Sequence, residues 1–467
     1  MRIEGLTAAA VPATVAALRP AESSSRDIAE RVAAILADVR SGGDAAVAAA
    51  TARFDWPGAN DANIAVPVAA IDAAYAHVEP GLLDALRTTR DNCTFFHRHE
   101  LRPDWEDVGA QGQVLGIRHL PVERAGLYVP GGHGVYASTV IMNAVPAQVA
   151  GVGELVICTP PGRNGAVNAS VLAAARLMGV GKVFRVGGAQ AIAAMAYGTR
   201  TVPRVDVICG PGNAYVMEAK RQVYGSVGID SLAGPSEVLI VADSTARPEW
   251  IAADMLAQEE HGSGAEAMVV AETRELCEAV ERAVALLVEG RGGTPAAPRG
   301  AAPPGAAPCG AAAPSSVPSG AEPDRAGFGA RRFWAFYPAE GEDFLDLAAA
   351  LVNDYAPEHL EIQVADPRGF LGRVRSAGAV FLGHDTPTAF GDYIAGSNHV
   401  LPTGGSARFS SPLSVDTFMR KSSYVEMPAA AVRLLTDRLA SIADSEGFFF
   451  HRRSAELRAG GGEPKAF

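Results

Sequence analysis

The chain has 467 residues, of which 48% are hydrophobic, and a formal net charge of −12 with no block of like charge. That length holds two or more domains with cores of their own, and that charge argues against nucleic acid as the main partner. The five cysteines (93, 158, 209, 277 and 309) are widely spaced with no CxxC, which excludes a cysteine zinc site of the usual kind and fits a reducing, cytoplasmic setting; no apolar run is long enough to span a bilayer, so no membrane partner is expected.

In chain order, Leu6 to Leu18 imitates a signal core, but Glu4, Pro12 and two threonines favour an N-terminal helix. Residues 24 to 105 read as mainly helical, with Ala-rich periodic runs such as Ile28 to Leu36. From about Arg118 the texture changes. Glu154-Leu-Val-Ile-Cys-Thr159, Lys182-Val-Phe-Arg-Val186 and Val205-Asp-Val-Ile-Cys209 are short buried strands. They alternate with helices over Asn168 to Met178, Ala189 to Tyr197 and a stretch running through Tyr224. Val238-Leu-Ile-Val-Ala242 and Ala267-Met-Val-Val-Ala271 continue the alternation, which predicts an α/β fold of parallel βαβ units. Gly290 to about Gly329 is Ala, Pro, Gly and Ser text that buries too little apolar surface to offset its ordering entropy, so disorder is expected there. A helix resumes near Phe344 and runs to Asn353.

Two glycine-rich strand-to-helix turns, Gly187-Gly188-Ala189-Gln190 and Gly210-Pro-Gly-Asn213, sit where backbone N–H groups at a helix start can approach a phosphate. Neither is a full GxGxxG, since Tyr215 stands where the third glycine belongs, and Asp230 twenty residues on has a loop-like context. On spacing alone, tight turns within an α/β domain account for both equally well.

The chemistry-bearing residues are scattered. Gln258-Glu259-Glu260-His261 follows Arg247-Pro248, which reads as a helix entry, so Asp254, Gln258 and His261 would share one face and the last two could hold a metal ion. A Gln/His pair on a helix more often just faces water or is a core histidine with its hydrogen bonds met. Glu358-His359 puts two proton acceptors of different pKa in one place, although such a pair is commonly a surface one. Asp392, in a Gly-flanked loop, is either an oxygen ligand or an Asx-type turn. His399 reads as a structural hydrogen-bonding residue, and Glu446 and His451 flank three phenylalanines that suggest packing first and ligation second. Gln258, His261, Asp392 and His451 form a mixed N/O set suited to zinc, but spacing does not show that they converge.

The chain resembles the histidinol dehydrogenases. The resemblance rests on Gly126-Leu-Tyr-Val-Pro-Gly-Gly132, Gly187-Gly-Ala-Gln-Ala191, Ile208-Cys-Gly-Pro-Gly-Asn-Ala-Tyr-Val216, Gly228-Ile-Asp-Ser-Leu-Ala-Gly-Pro-Ser-Glu-Val-Leu-Ile240, Ala257-Gln-Glu-Glu-His261, Ala356-Pro-Glu-His-Leu360, Gly391-Asp-Tyr393 and Asn398-His-Val-Leu-Pro-Thr403. It runs from the N-terminal helix to Arg458. It implies two incomplete Rossmann-like parallel-sheet domains with helical terminal elements that pack in a homodimer. The implied layout is an N-terminal helical arm over 1–22, one domain from 23–107 with 237–385, a second over 108–236, and a C-terminal helical dimerisation tail over 386–467. It implies one zinc per subunit on Gln258, His261, Asp392 and, across the dimer, His451. Glu358 and His359 would be the acid/base pair. Tyr128, Gln190 and Asn213 would contact NAD. The substrate L-histidinol would meet Ser236, His359, the four zinc ligands and Glu446, the last also from across the dimer. The implied reaction is the four-electron oxidation of L-histidinol to L-histidine with two NAD⁺, the last step of histidine biosynthesis.

Residues 290 to about 340 depart from the family pattern. They read either as a real disordered insertion replacing part of a domain or as a reading-frame slip and its correction, and if the segment is real a sheet strand is expected to be missing there.

Overall fold

The structure is a computed structural model, and it describes residues 1–19, 26–131, 135–262, 264–291 and 332–460. The expected disorder over 290–329 falls almost wholly outside the described residues. The chain opens with β1 (Arg2–Leu6), α1 (Val11–Leu18), α2 (Arg26–Phe54), α3 (Val68–His77) and α4 (Pro80–Arg98). Next come β2 (Trp105–Val108), β3 (Val114–Pro121), β4 (Arg124–Tyr128), α5 (Ala137–Ala150), β5 (Glu154–Cys158), α6 (Ala169–Leu177), β6 (Lys182–Phe184), α7 (Gly188–Tyr197), β7 (Val207–Cys209), α8 (Ala214–Val223) and β8 (Gly228–Ile229). They are followed by β9 (Glu237–Ala242), α9 (Pro248–Glu259), β10 (Glu266–Ala271), α10 (Arg274–Arg291), β11 (Phe333–Pro338), α11 (Phe344–Tyr355), β12 (His359–Gln363), α12 (Pro367–Leu371), β13 (Ala379–Leu382) and α13 (Thr388–Tyr393). The chain closes with β14 (Met419–Glu426), α14 (Ala429–Ser445) and α15 (Phe449–Gly460).

Two wholly parallel sheets carry the fold. The larger has the order β1-β11-β10-β9-β12-β13, and the smaller has the order β6-β5-β4-β7-β8. Their central strands are apolar on both faces because helices cover both sides. In the larger sheet Leu239, Val241, Met268 and Leu360 pack under α1 and α11, while Val238, Ile240, Ala267 and Val269 pack under α9 and α10. A third, antiparallel sheet, β14-β3-β2, joins the last strand of the chain to its early part.

Three expectations need correction. The N-terminal arm is not purely helical, since β1 pairs in parallel with β11 and so belongs to the larger sheet. Helices α2, α3 and α4 pack on α7 and α8, α6, and α5 respectively, so residues 23–107 cover the smaller sheet rather than joining 237–385. The tail over 386–467 is likewise not purely helical, because it contains β14. No sheet strand is lost at the compositional break. Phe333-Trp-Ala-Phe-Tyr-Pro338 forms β11 between β1 and β10, and α10 reaches Arg291.

The two parallel sheets meet at opposite ends. Residues 230–236 lead straight from the carboxyl end of β8 to the amino end of β9. The end of β8 and the start of β9 border one cavity, which Ile229, Asp230 and Glu237 help to line.

Candidate active site

Glu358 and His359 stand at the amino end of β12, where α11 gives way to the sheet. The turn is sharp. Ala356 takes φ 49°, the one positive φ of a non-glycine residue among the described residues, and Pro357 then sets the extended direction. Glu358 is buried, and its Oε2 accepts from Ser236 Oγ at 2.5 Å and from the Glu237 N–H at 2.9 Å. His359 is fully buried, with Nδ1 3.0 Å from the Glu237 carbonyl oxygen. A carbonyl only accepts, so Nδ1 carries the proton and Nε2 of the neutral ring is left as the free base. That Nε2 is buried without a hydrogen-bond partner and lies 3.5 Å from Asp392 Oδ1.

Asp392 is on the short helix α13 rather than in a loop, and α13 packs against α9. Gln258 is in the last turn of α9 and almost wholly buried, with an unpartnered Nε2. His261 lies just beyond the helix rather than on it. Its N–H bonds the Gln258 carbonyl at 3.2 Å, and its Nε2 stands 4.0 Å from Asp392 Oδ2. His399 donates from Nδ1 to the Asp392 carbonyl at 2.8 Å and meets Thr139 Oγ1 at 3.2 Å, which is the structural role expected of it.

Charge is concentrated here. Burial works against a charged His359, but the Glu358 and Asp392 carboxylates outweigh it and push its pKa up to about 9. Burial would raise Asp392, yet the surrounding histidines hold it below the ordinary carboxylate range. Beneath this layer Glu361, two residues along β12, accepts from the Thr388 N–H at 2.9 Å and from Gln363 Nε2 at 2.9 Å. Burial and the adjacent Glu361 raise Asp254 to about 8, so these two carboxyls share a proton. Asp254 thus serves the α9–β12 contact and not the ligand face.

Among the described residues no three His, Cys, Asp or Glu side chains are placed to hold a metal ion. The donors at hand are the imidazole of His261 and the carboxylate of Asp392, 4.0 Å apart, and the buried amide of Gln258, whose nitrogen has no partner. That set fits zinc as three of four ligands and needs a fourth from elsewhere. His451 does not supply it within this chain. It sits on α15, in a groove of about 920 Å³ that it shares with Glu446, Met427, Leu439, Ile442 and Phe448. No hydrogen bond or ion pair among the described residues joins that groove to Asp392.

Tyr128, Gln190 and Asn213 all lie at the carboxyl edge of the smaller sheet. Tyr128 Oη accepts from the Gly188 N–H at 3.1 Å. Gln190 Nε2 donates to Asp55 Oδ2 at 3.0 Å, and the same carboxylate oxygen takes the Gly187 N–H at 3.1 Å. Asn213 Oδ1 caps α8 through Tyr215 and Val216. At Gly210, where φ is 115°, a Cβ would fall 2.1 Å from the Tyr128 carbonyl oxygen, so only glycine fits. Asp230 accepts from the Gly210 N–H at 2.8 Å and pairs with buried Lys220, which bonds the Gly210 carbonyl at 3.0 Å. It braces the turn.

A family model described as histidinol dehydrogenase matches residues 18–293 and 342–459. The chain belongs to the histidinol dehydrogenase family. The histidinol dehydrogenase of a Synechococcus species is 46% identical over 437 residues, covering 94% of this chain and 92% of that protein. That of Moorella thermoacetica is 44% identical over 431 residues, covering 92% and 94%. The crystal structure of histidinol dehydrogenase from Elizabethkingia anophelis superposes with a TM-score of 0.85 at 29% identity over 98% of both chains. Membership makes the chain an NAD-dependent oxidoreductase and implies the final step of histidine biosynthesis. The break between the matched segments spans the unusual composition and β11 alike, so the strand survives where the sequence pattern does not.

Sequence reasoning missed Asp55, Glu237 and Glu361. Glu361 carried a signal, being a charged residue in the middle of an apolar strand. Asp55, far away at the end of α2, carried none.

Proposed function

We propose that the chain oxidises L-histidinol to L-histidine through L-histidinal, with two NAD⁺ and one zinc per subunit. The observation that supports this most is the pairing of Glu358 and His359 at one strand end, one carboxylate and one imidazole with a free Nε2, beside Asp392. Bound zinc would supply a Lewis acid that fixes the imidazole and amine of the substrate, and bound NAD⁺ would accept the reducing equivalents. Gln258, His261 and Asp392 would hold the metal, and the neutral amide of Gln258 keeps the net negative charge of the site low. A cation on Asp392 would weaken one of the two attractions that keep His359 charged, which favours the neutral ring. His359 Nε2 then takes the proton of the alcohol. Glu358 takes the proton of the water that hydrates the aldehyde, and His359 serves again in the second oxidation. Ser236 Oγ orients Glu358. Tyr128, Gln190 and Asn213 would border the cofactor.

The unpartnered apolar residues of the C-terminal hairpin support a homodimer. Leu434, Ile442, Phe448, Phe449 and Phe450 are exposed around the groove that holds Glu446 and His451. A second copy covering this face would carry His451 to the open ligand position and Glu446 to the substrate. The described cysteines are all unpaired, which suits the reducing cytoplasm.

The test is the number of NADH formed per L-histidinol, with and without a chelator. Two equivalents, lost on zinc removal and restored by its return, are expected. One equivalent, or indifference to the chelator, sinks the reading.

A further inference from the structure

Glu237 opens β9, a strand whose remaining residues are Val-Leu-Ile-Val-Ala. Neither pairing nor packing asks for a buried carboxylate at its start, and burying one costs several kcal/mol unless it is partnered. Its main chain touches both members of the acid/base pair. The N–H donates to Glu358 Oε2 at 2.9 Å, and the carbonyl accepts from His359 Nδ1 at 3.0 Å.

The side chain is tied to the opposite side, at a cavity of about 820 Å³ that includes Arg19, Glu266, Arg332 and Gly404 in its lining. Oε1 accepts from the Gly404 N–H at 3.1 Å, and Oε2 lies 3.5 Å from Arg19 Nη2. Arg19 reaches the same pair by a second route. It lies 4.3 Å over the ring of Tyr355 and donates to the Tyr355 carbonyl, at the start of the turn that delivers Glu358. Thr403 Oγ1 holds the Gly234 N–H on the approach to Ser236. Burial, against the pull of Arg19, raises the Glu237 carboxyl to about 7, which fits a group whose place is dictated by its neighbours.

We propose that Glu237, clamped by Arg19 and Gly404, is a positioning residue for Glu358 and His359. Its own N–H and carbonyl fix the carboxylate and the imidazole tautomer, and its side chain fixes that stretch of main chain from behind. The inference rests on the proposed acid/base roles. Misplacing such a pair by about 1 Å can cost about 10²-fold in rate.

The test uses the full-length, zinc-loaded enzyme. Glu237→Ala is expected to lower kcat about 10- to 100-fold while the KM for L-histidinol and the zinc content stay within about 2-fold, because Gln258, His261 and Asp392 hold the substrate and the metal. Glu237→Gln keeps an acceptor for Gly404 and should fall between wild type and Ala. It carries the same comparison if the Ala variant does not fold. A crystal structure of the variant should show the Glu358 carboxylate moved off Ser236 Oγ. A folded, zinc-loaded variant with unchanged kcat overturns the proposal. If the wild type forms no NADH from L-histidinol, the functional reading fails, while the crystal structure still decides this one: an unmoved Glu358 and His359 overturn it.

Discussion

The two parallel sheets are built alike and used at opposite ends. The carboxyl edge of the smaller sheet works with main chain. Its turns need glycine at 210, and side chains such as Asp55, Asp230 and Asn213 are occupied in shaping those turns. The amino edge of the larger sheet works with side chains. Strand β12 is entered from the end of α11 and β9 from the segment 230–236, and Ser236, Glu358 and His359 are delivered at those entries. A strand's carboxyl end feeds a helix start, which is where N–H groups gather for an anion. A strand's amino end has no such donors, so its chemistry comes from residues buried at the corner.

The sharpest test of this contrast is at the side-chain edge. His359→Asn is expected to lower the rate of alcohol oxidation by about 10²–10⁴-fold, and Glu358→Gln chiefly to slow oxidation of L-histidinal. Separate assays with the two substrates measure this, and equal losses in both half-reactions for both variants break the division of labour. At the main-chain edge Gly210→Ala meets a carbonyl oxygen and a left-handed φ, so a loss of about 1–3 kcal/mol and a raised KM for NAD⁺ are expected, read from thermal unfolding and kinetics. An Ala variant as stable as wild type shows that this turn is not sterically fixed.

A smaller effect separates the edges by pH. The folded protein raises Glu237 to about 7, so folding favours its protonated form. The stability it contributes relative to Glu237→Gln is fully present below about pH 4.5 and is lost as pH rises through 7, a change on the order of 1–3 kcal/mol. Melting temperatures at pH 5 and 8 check the sign, and a pH-independent difference refutes it. Least of all, Asp55→Ala should raise the KM for NAD⁺ about 10-fold and leave the KM for L-histidinol alone, since it frees only the Gly187 turn and Gln190.

Local patterns in the chain revealed most of the scaffold. The short apolar runs became β5, β6, β7, β9 and β10, and the Ala-rich periodic stretches became helices. What stayed hidden was non-local. Nothing near Arg2 signals that β1 pairs with a strand more than three hundred residues away, and nothing in 26–98 says which sheet those helices cover. The proposed ligand residues were legible as types, and their grouping was expected from the family motifs rather than from spacing; His261 and Asp392 lie together, and His451 lies apart from them in this chain. His261 shows the limit well. Its i, i+3 relation to Gln258 suggested a shared helical face, whereas the helix stops at Glu259 and the turn carries the imidazole. The segment rich in Pro and Ala hid β11, because composition around a strand says little about the strand itself.

Ala356 sets a limit on how far this enzyme can be hardened. A left-handed alanine holds about 1 kcal/mol or more of backbone strain two residues before Glu358, the first of the proposed acid/base pair. Replacement by glycine removes that strain but widens the freedom of the unfolded chain and of the turn itself. Ala356→Gly should therefore leave the melting temperature nearly unchanged while lowering kcat, so relieving the strain at this corner makes the fold no more robust.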